Sequence, residues 1–154
     1  MLSENALKQL DEIRARYPNA RSGLLPALHV AQEDQGCVCP DVLQEVARYF
    51  NLPPGEVESV ASFYTMYRER RLGKYLLQVC TSISCGLLGA GHIVDYISEK
   101  LGIKVGETTS DGKFTLLTTE CLGTCGTAPV MQINDTFHEN LTPEKIDELL
   151  ASLG

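Results

Sequence analysis

The sequence predicts an α+β protein in which a bundle of short helices is followed by a small α/β domain. Up to about residue 67 the apolar residues recur with helical spacing, whereas short strand-like runs alternate with helical stretches after residue 73. Four cysteines also occur in two pairs, each directly after a predicted strand. We place the boundary within residues 68–74, which gives a helical N-terminal domain at residues 1–70 and an α/β domain at residues 71–154.

The first two helices are predicted from amphipathic stripes. The first stripe ends at Pro18 and consists of Leu7, Leu10, Ile13 and Tyr17. The second consists of Leu24, Leu25, Leu28 and Ala31. Ser22 is the predicted N-cap of the second helix because its hydroxyl can accept from a free backbone N–H, and Gly36 is the predicted end.

Two further helices complete the predicted bundle. Pro40 opens the third, which stops before Pro53 and buries Val42, Leu43, Val46, Ala47 and Phe50. The fourth starts at Glu56 and presents Val57, Val60, Ala61 and Tyr64. Four short helices with tight links predict an antiparallel bundle.

The second domain is predicted to follow the order βαββα. Strands are expected at residues 74–79, 114–118 and 130–133, and the last two are expected to pair as a hairpin. A helix is expected at residues 87–101 with Gly102 as its C-cap, and Asp111-Gly112 indicates a turn. Thr142 is the predicted N-cap of a last helix that begins at Pro143.

Composition excludes several classes of function. The 154 residues are 44% hydrophobic and carry a net charge of −7, so a nucleic-acid backbone would be repelled. No apolar run approaches the roughly 18 residues of a membrane span, and the charged N-terminus does not read as a secretory signal. The chain is therefore expected in the cytoplasm, where six cysteines indicate metal or redox chemistry rather than disulfides.

The paired cysteines are the candidate site. Cys80 and Cys85 form C-x4-C, and Cys121 and Cys125 form C-x3-C. Because both pairs follow predicted strands, the four thiolates could meet at one edge of a sheet. Four soft thiolates bind zinc or an iron–sulfur cluster, and the spacing alone leaves both metals open.

The composition of the two loops favours an iron–sulfur cluster. Glycines let backbone N–H groups approach sulfur, and they are Gly86, Gly89, Gly91, Gly123 and Gly126. An apolar cover is expected from Ile83, Leu87, Leu88, Leu122, Ala128 and Pro129. The N–H groups around Gly123, Thr124 and Gly126 are expected to donate to sulfur, and a side chain at Gly126 is expected to push the loop outward.

Three segments resemble a known family. VCTSISCGLLGAG, LGIKVGETTSDGKFTL and TECLGTCGTAPVMQIND closely resemble the thioredoxin-like [2Fe–2S] ferredoxin subunit of respiratory complex I, which is the bacterial E or mitochondrial 24-kDa subunit of NADH:quinone oxidoreductase. The similarity extends upstream through LLPALHVAQEDQG and VESVASFYTMY. The resemblance implies a thioredoxin-like C-terminal domain with one [2Fe–2S] cluster, whose four ligand positions match Cys80, Cys85, Cys121 and Cys125.

The resemblance also implies partners and a place of action. A flavoprotein subunit of the 51-kDa or F type would carry FMN and the NADH site, beside a larger iron–sulfur subunit. This chain has no G-x-G-x-x-G after a strand and no catalytic residues of its own, so it would carry electrons as part of the enzyme. It is expected in the cytoplasm or, through its complex, on the cytoplasmic face of the inner membrane. Its helical part is expected to supply much of the contact with the flavoprotein.

Other functions stay open at this stage. The same subunit type serves soluble NAD-linked hydrogenases, including bifurcating ones, and NAD-dependent formate dehydrogenases. A zinc-stabilised interaction module is an alternative from another class. A thioredoxin-like oxidoreductase is a weaker alternative, because it would use C-x-x-C and neither pair has that spacing.

Two further groups of residues have simpler expected roles. Cys37 and Cys39 depart from the family pattern, and we expect small buried or half-buried thiols there, with a redox or inter-subunit metal role as the alternative. An aromatic-rich stretch near the domain boundary is expected to belong to the core, with partner docking as the alternative. It consists of Phe63, Tyr64, Met66 and Tyr67.

Overall fold

The computed structural model describes all of residues 1–154 and divides them into two compact units, Met1–Arg71 and Leu72–Gly154. The first unit contains only helices, and the second combines helices with a sheet. The predicted α+β class is therefore confirmed. None of the helices combines the length and the apolar composition needed to cross a membrane.

The helical unit contains four helices whose buried faces follow the predicted stripes. They are α1 (Glu4–Arg16), α2 (Leu24–Gln35), α3 (Pro40–Phe50) and α4 (Pro54–Phe63). Leu10, Leu28 and Val46 are fully buried and belong to one apolar core. Burial of such aliphatic side chains, at about 1.5–3 kcal/mol each, is the main stabilising contribution in a unit of this size.

The start of α2 differs from the prediction. A short 3-10 turn, Arg21–Gly23, precedes the helix, and no side chain caps it. Ser22 is instead a donor: its backbone N–H donates to Asn19 Oδ1 at 2.9 Å, and its hydroxyl donates to the same oxygen. Asn19 therefore holds this turn, and the helix begins at Leu24, one residue later than a Ser22 cap would set it. Gly36, with φ of 76°, ends α2 as predicted.

The aromatic-rich stretch after α4 is divided between the core and the surface. Tyr67 is buried, and Tyr64 packs against the same core. Phe63 and Met66 are 76% and 48% exposed. The core interpretation is therefore right for the two tyrosines and wrong for Phe63 and Met66, whose side chains extend into solvent.

Tyr67 is expected to make the helical unit less stable as the pH rises into the alkaline range. Its hydroxyl donates to the Leu25 carbonyl at 2.8 Å, and burial raises its pKa to about 12. The phenol of the unfolded chain ionises at about pH 10, so the unfolded state loses this proton first. The contribution of Tyr67 is present below pH 10 and is lost as the pH rises towards 12. At about 1.4 kcal/mol per pH unit, this loss reaches at most about 3 kcal/mol.

The matched variant is Tyr67→Phe, compared with the wild type by urea unfolding from pH 8 to pH 12. At pH 8 we expect Tyr67→Phe to be less stable by about 1 kcal/mol, because one buried hydrogen bond is lost. The difference should shrink and then reverse above pH 10. A constant difference across this range would contradict the alkaline dependence.

Cys37 and Cys39 form a disulfide, with a sulfur–sulfur distance of 2.06 Å. Cys37 is fully buried, and Cys39 is the residue that precedes α3. The expected burial is confirmed, because Cys37 is buried and Cys39 is half-buried, but the expectation of thiols at these positions is wrong. The argument against disulfides from the expected compartment is also wrong for this pair. The two Cα atoms are 5.4 Å apart, within the range that a disulfide spans. The spacing of the two cysteines in the sequence does not show that their side chains meet.

The second unit is built on a four-stranded mixed sheet with the order β2-β1-β3-β4. The strands are β1 (Tyr75–Cys80), β2 (Phe114–Thr119), β3 (Met131–Ile133) and β4 (Thr136–His138). β1 runs parallel to β2 and antiparallel to β3. The predicted hairpin between the second and third strands is wrong, since β1 lies between them. β3 instead forms a hairpin with β4, a strand too short to be predicted.

Helices pack against this sheet: α5 (Ile83–Leu87), α6 (Ala90–Leu101) and α7 (Pro143–Ser152). The single helix expected from residue 87 to residue 101 is broken at Gly89, whose φ of 91° is left-handed and interrupts the helical hydrogen bonds. Gly102 ends α6, and the Thr142 hydroxyl accepts from the Lys145 N–H at the start of α7, both as predicted.

Candidate metal centre

The parallel pairing of β1 and β2 determines where the cysteines lie. Cys80 is the last residue of β1 and is in register with Thr119, the last residue of β2. Cys121 follows two residues later. The carboxyl ends of parallel neighbours lie at one edge of a sheet, so the two loops that carry the cysteines begin side by side. The sequence expectation of paired loops after neighbouring strands is met by this topology.

Cys80 and Cys85 are both buried, and their thiols interact directly. Burial opposes ionisation of Cys80, yet the N–H groups of Ser82 and Leu122, together with the Cys85 thiol, lower its pKa below the usual value. Burial and the hydrogen bond with Cys80 raise the pKa of Cys85. Within the pair, Cys80 therefore ionises more readily than Cys85, and the thiolate is the form of cysteine that binds metal.

The second pair is exposed. Cys121 and Cys125 are solvent-accessible, and Cys125 begins a short 3-10 turn, Cys125–Thr127. Cys125 also lies close enough to Cys85 for its charge to raise the Cys85 pKa. Cys121 accepts a hydrogen bond within its own loop from the Gly123 N–H, at 3.3 Å. Three of the four predicted ligands thus influence one another electrostatically.

Gly123, and not Gly126, is the glycine on which the second loop depends. Its φ of 77° lies in the left-handed region, where a side chain is strained, and its N–H is the one that donates to Cys121. A Cβ added at Gly126 would meet no atom within 4 Å, and its φ is not left-handed. No atom of the chain itself would therefore be displaced by a Cβ at Gly126, and the expectation that a side chain there pushes the loop outward stays a prediction.

Thr124, between the two cysteines of this loop, has a buried hydroxyl. Its Oγ1 atom is shielded from solvent and has no hydrogen-bond partner. Native proteins rarely leave a buried hydroxyl unpaired, because the lost hydration is not replaced. The loop therefore offers a polar donor that the protein itself does not use.

The loops are uncharged and partly apolar. Residues 81–91 and 121–133 contain no Asp, Glu, Lys or Arg, although these types make up 21% of the chain. Of the expected apolar cover, Pro129 is buried, and Leu122 and Ala128 pack against the core. Ile83, Leu87 and Leu88 are 80%, 83% and 60% exposed. These three do not cover the cysteines within the chain, because α5 and its C-cap residue, Leu88, present them to solvent.

The donor set fits a metal group that binds soft sulfur ligands. Four thiols, backbone N–H groups directed at them and an unused hydroxyl occur together in two adjacent loops. No three His, Cys, Asp or Glu side chains are arranged around a single point as a mononuclear metal site. The candidate ligands are Cys80, Cys85, Cys121 and Cys125.

Sequence relatives have consistent names. The second E-type subunit of the NADH-quinone oxidoreductase of Rhizobium meliloti is 42% identical over 145 residues, covering 94% of this chain and 86% of that protein. NADH-quinone oxidoreductase subunit 2 of Thermus thermophilus is 44% identical over 147 residues, covering 94% and 81%. The E-type subunit of the NADH-quinone oxidoreductase of Mycobacterium bovis is 46% identical, and this chain covers 56% of it.

A solved structure with a related fold comes from an NAD⁺-reducing [NiFe]-hydrogenase in its air-oxidised state. It superposes with a TM-score of 0.75 at 27% identity over 85% of this chain. This chain spans only 22% of that hydrogenase chain. Residues 10–154 also match the sequence family of thioredoxin-like [2Fe–2S] ferredoxins. This match covers both units, and the chain therefore belongs to the thioredoxin-like [2Fe–2S] ferredoxin family.

Proposed function

We propose that this chain is an electron-transfer subunit of the NADH dehydrogenase module of an NADH-quinone oxidoreductase. It holds one [2Fe–2S] cluster through Cys80, Cys85, Cys121 and Cys125. The observation that carries the proposal is that two pairs of cysteines follow the carboxyl ends of the neighbouring parallel strands β1 and β2, in a chain of the thioredoxin-like [2Fe–2S] ferredoxin family. A [2Fe–2S] cluster, when bound, takes up and releases one electron at a time.

The residues of the chain position and insulate this group. The buried pair, Cys80 and Cys85, belongs to the core of the second unit and would hold the cluster from the first loop, and the exposed pair, Cys121 and Cys125, would supply the ligands of the second loop. The N–H of Gly123 donates a hydrogen bond to Cys121 Sγ. Residues 81–91 and 121–133 carry no Asp, Glu, Lys or Arg, and the nearby charge that acts on Cys80 is that of Glu120, the residue before Cys121. Hydrogen bonds to sulfur would therefore contribute much of the local electrostatics.

We also propose that a flavoprotein subunit carrying FMN and the NADH site reduces this chain. An electron carrier of this kind needs a redox partner to take part in NADH oxidation. Apolar side chains are exposed in both units: Phe63 and Met66 in the helical unit, and Ile83, Leu87 and Leu88 beside the cysteines. Exposed apolar groups of this kind are typical of protein–protein contacts and support docking of a partner. A larger iron–sulfur subunit is the proposed acceptor of the electrons.

The test of the cluster is the visible spectrum and metal content of anaerobically purified protein. We expect a reddish-brown sample that bleaches with dithionite and contains two iron and two sulfide per chain, as the cluster formula requires. Zinc gives no visible absorption. A colourless protein with one zinc per chain would contradict the proposal and support a zinc-stabilised interaction module.

The hydrogenase relationship supports a second candidate, an equivalent subunit of a soluble NAD-linked hydrogenase. The two candidates differ in what accompanies the chain. Affinity purification from the native organism, followed by mass spectrometry, should recover quinone-reductase subunits in the first case and a hydrogenase large subunit in the second. The names of the most similar sequences favour the first.

A further inference from the structure

Thr124 lies between Cys121 and Cys125, and its hydroxyl has no hydrogen-bond partner within the protein. Its Oγ1 is the one buried side-chain nitrogen or oxygen in the chain that lacks a hydrogen-bond partner. An unpaired buried hydroxyl raises the free energy of the folded protein, because its lost hydrogen bonds to water are not replaced. The Thr124 hydroxyl therefore points to a hydrogen-bond acceptor that is not part of the polypeptide.

The hydroxyl is not required to form the loop. The Thr124 carbonyl accepts from both the N–H and the hydroxyl of Thr127, each at 3.2 Å, and these bonds close the 3-10 turn. The neighbouring connection is held by the Asn140 N–H, which donates to the Thr127 carbonyl at 2.7 Å. The backbone of Thr124 is therefore fixed by other groups. Its hydroxyl is left to donate to a metal group that the flanking cysteines bind.

We propose that the Thr124 hydroxyl donates a hydrogen bond to a sulfur of the bound cluster and thereby raises its reduction potential. This inference rests on the proposed function, because it needs a cluster held by the flanking cysteines. One added electron makes the sulfur atoms of an all-thiolate cluster more negative, and a donor to sulfur therefore stabilises the reduced form more than the oxidised form. No proton is transferred, since the hydroxyl keeps its hydrogen.

The threonine methyl group could instead serve only to fill space, and two substitutions separate these roles. Thr124→Val keeps the shape and removes the hydroxyl, whereas Thr124→Ser keeps the hydroxyl and removes the methyl group. Thr81→Val is the matched control: Thr81 follows Cys80, and its hydroxyl already donates to the Thr119 carbonyl at 3.3 Å.

The measurement is an EPR-monitored redox titration of the cluster-loaded chain with dithionite as the reductant. At the wild-type midpoint we expect Thr124→Val to lower the ratio of reduced to oxidised cluster by roughly three- to tenfold, which is about 30–60 mV at 59 mV per tenfold. Thr124→Ser should stay near the wild type, and Thr81→Val should shift the ratio less than Thr124→Val does.

The outcomes are distinct. If Thr124→Val binds little cluster, the redox titration is made on Thr124→Ala instead. The same fall in the ratio of reduced to oxidised cluster is expected, because alanine also lacks the hydroxyl donor. An unchanged midpoint with full iron content, an equal shift in Thr124→Ser, or loss of the cluster from the valine and alanine variants alike would overturn the tuning role. A wild-type chain with no cluster signal would instead overturn the proposed function.

Discussion

Cys121→Ser is expected to abolish binding of the cluster while the chain remains folded. Cys121 is exposed, so the substitution removes a ligand without disturbing the core. Substitutions around metal sites that leave the ligands intact already cost about 10- to 100-fold in affinity, and loss of a thiolate ligand should cost more. We therefore expect iron content to fall by at least about tenfold. The EPR signal of the dithionite-reduced protein should disappear with it.

The same loss is expected for Cys80→Ser, Cys85→Ser and Cys125→Ser. The first two positions are buried, so their variants test folding and ligation together, whereas Cys125 is exposed and gives a second clean test. The control is the double variant Cys37→Ser/Cys39→Ser, which removes the disulfide of the helical unit and should keep the cluster. A full-strength EPR signal in Cys121→Ser would contradict the ligand assignment, and circular dichroism would show whether each variant is folded.

Local sequence signals predicted most of the helices. Pro40, Gly36 and Thr142 act through their own backbone or side chain, so their effect on helix ends can be read directly from the sequence. Ser22 shows the limit of this approach, because Ser22 and Asn19 are both capping residues and the choice between them depends on how the chain turns after α1. The sequence shows a glycine at position 89, but it does not show that this glycine adopts the left-handed conformation that breaks the predicted helix.

The order of strands could not be predicted from periodicity. Residues 114–118 and 130–133 have the apolar pattern of strands, but which strand each one pairs with is decided by tertiary packing. The parallel pairing of β1 with β2 brings the ends of both strands together, and β3 then pairs on the other side of β1. The expectation of adjacent cysteine loops was met because it depends on that parallel pair alone.

The sequence predicted the residue types of the candidate site more fully than its hydrogen bonds and the exposure of its side chains. Spacing and loop position indicated the four cysteines, whose ligand role stays a prediction. The donor from Gly123 was expected, whereas those from Ser82 and Leu122 to Cys80 were not, since they depend on how the loops fold over each other. The exposure of Leu87 was also missed, because an apolar residue beside a predicted metal site looks the same in sequence whether it packs inward or against a partner.

Leu87→Asp is expected to prevent stable pairing with the flavoprotein while leaving the cluster in place. Leu87 is 83% exposed on α5, within a loop that has no charged side chains and that also carries Cys85. A redox partner must approach this loop to exchange electrons with the cluster. Burying the leucine should contribute about 1.5–3 kcal/mol to binding. A carboxylate there would also have to be desolvated, so we expect the affinity to fall by about a hundredfold.

The measurement is co-purification of the tagged chain with its co-expressed FMN subunit, alongside the visible spectrum of the cluster. Val105→Asp is the control, because Val105 is also exposed but lies outside the two cysteine loops, in the segment that precedes β2. It should keep both the partner and the cluster. If Leu87→Asp retains the partner as the wild type does, α5 is not the docking surface. Loss of the partner only on substitution of Phe63, exposed in the helical unit, would place the contact there instead.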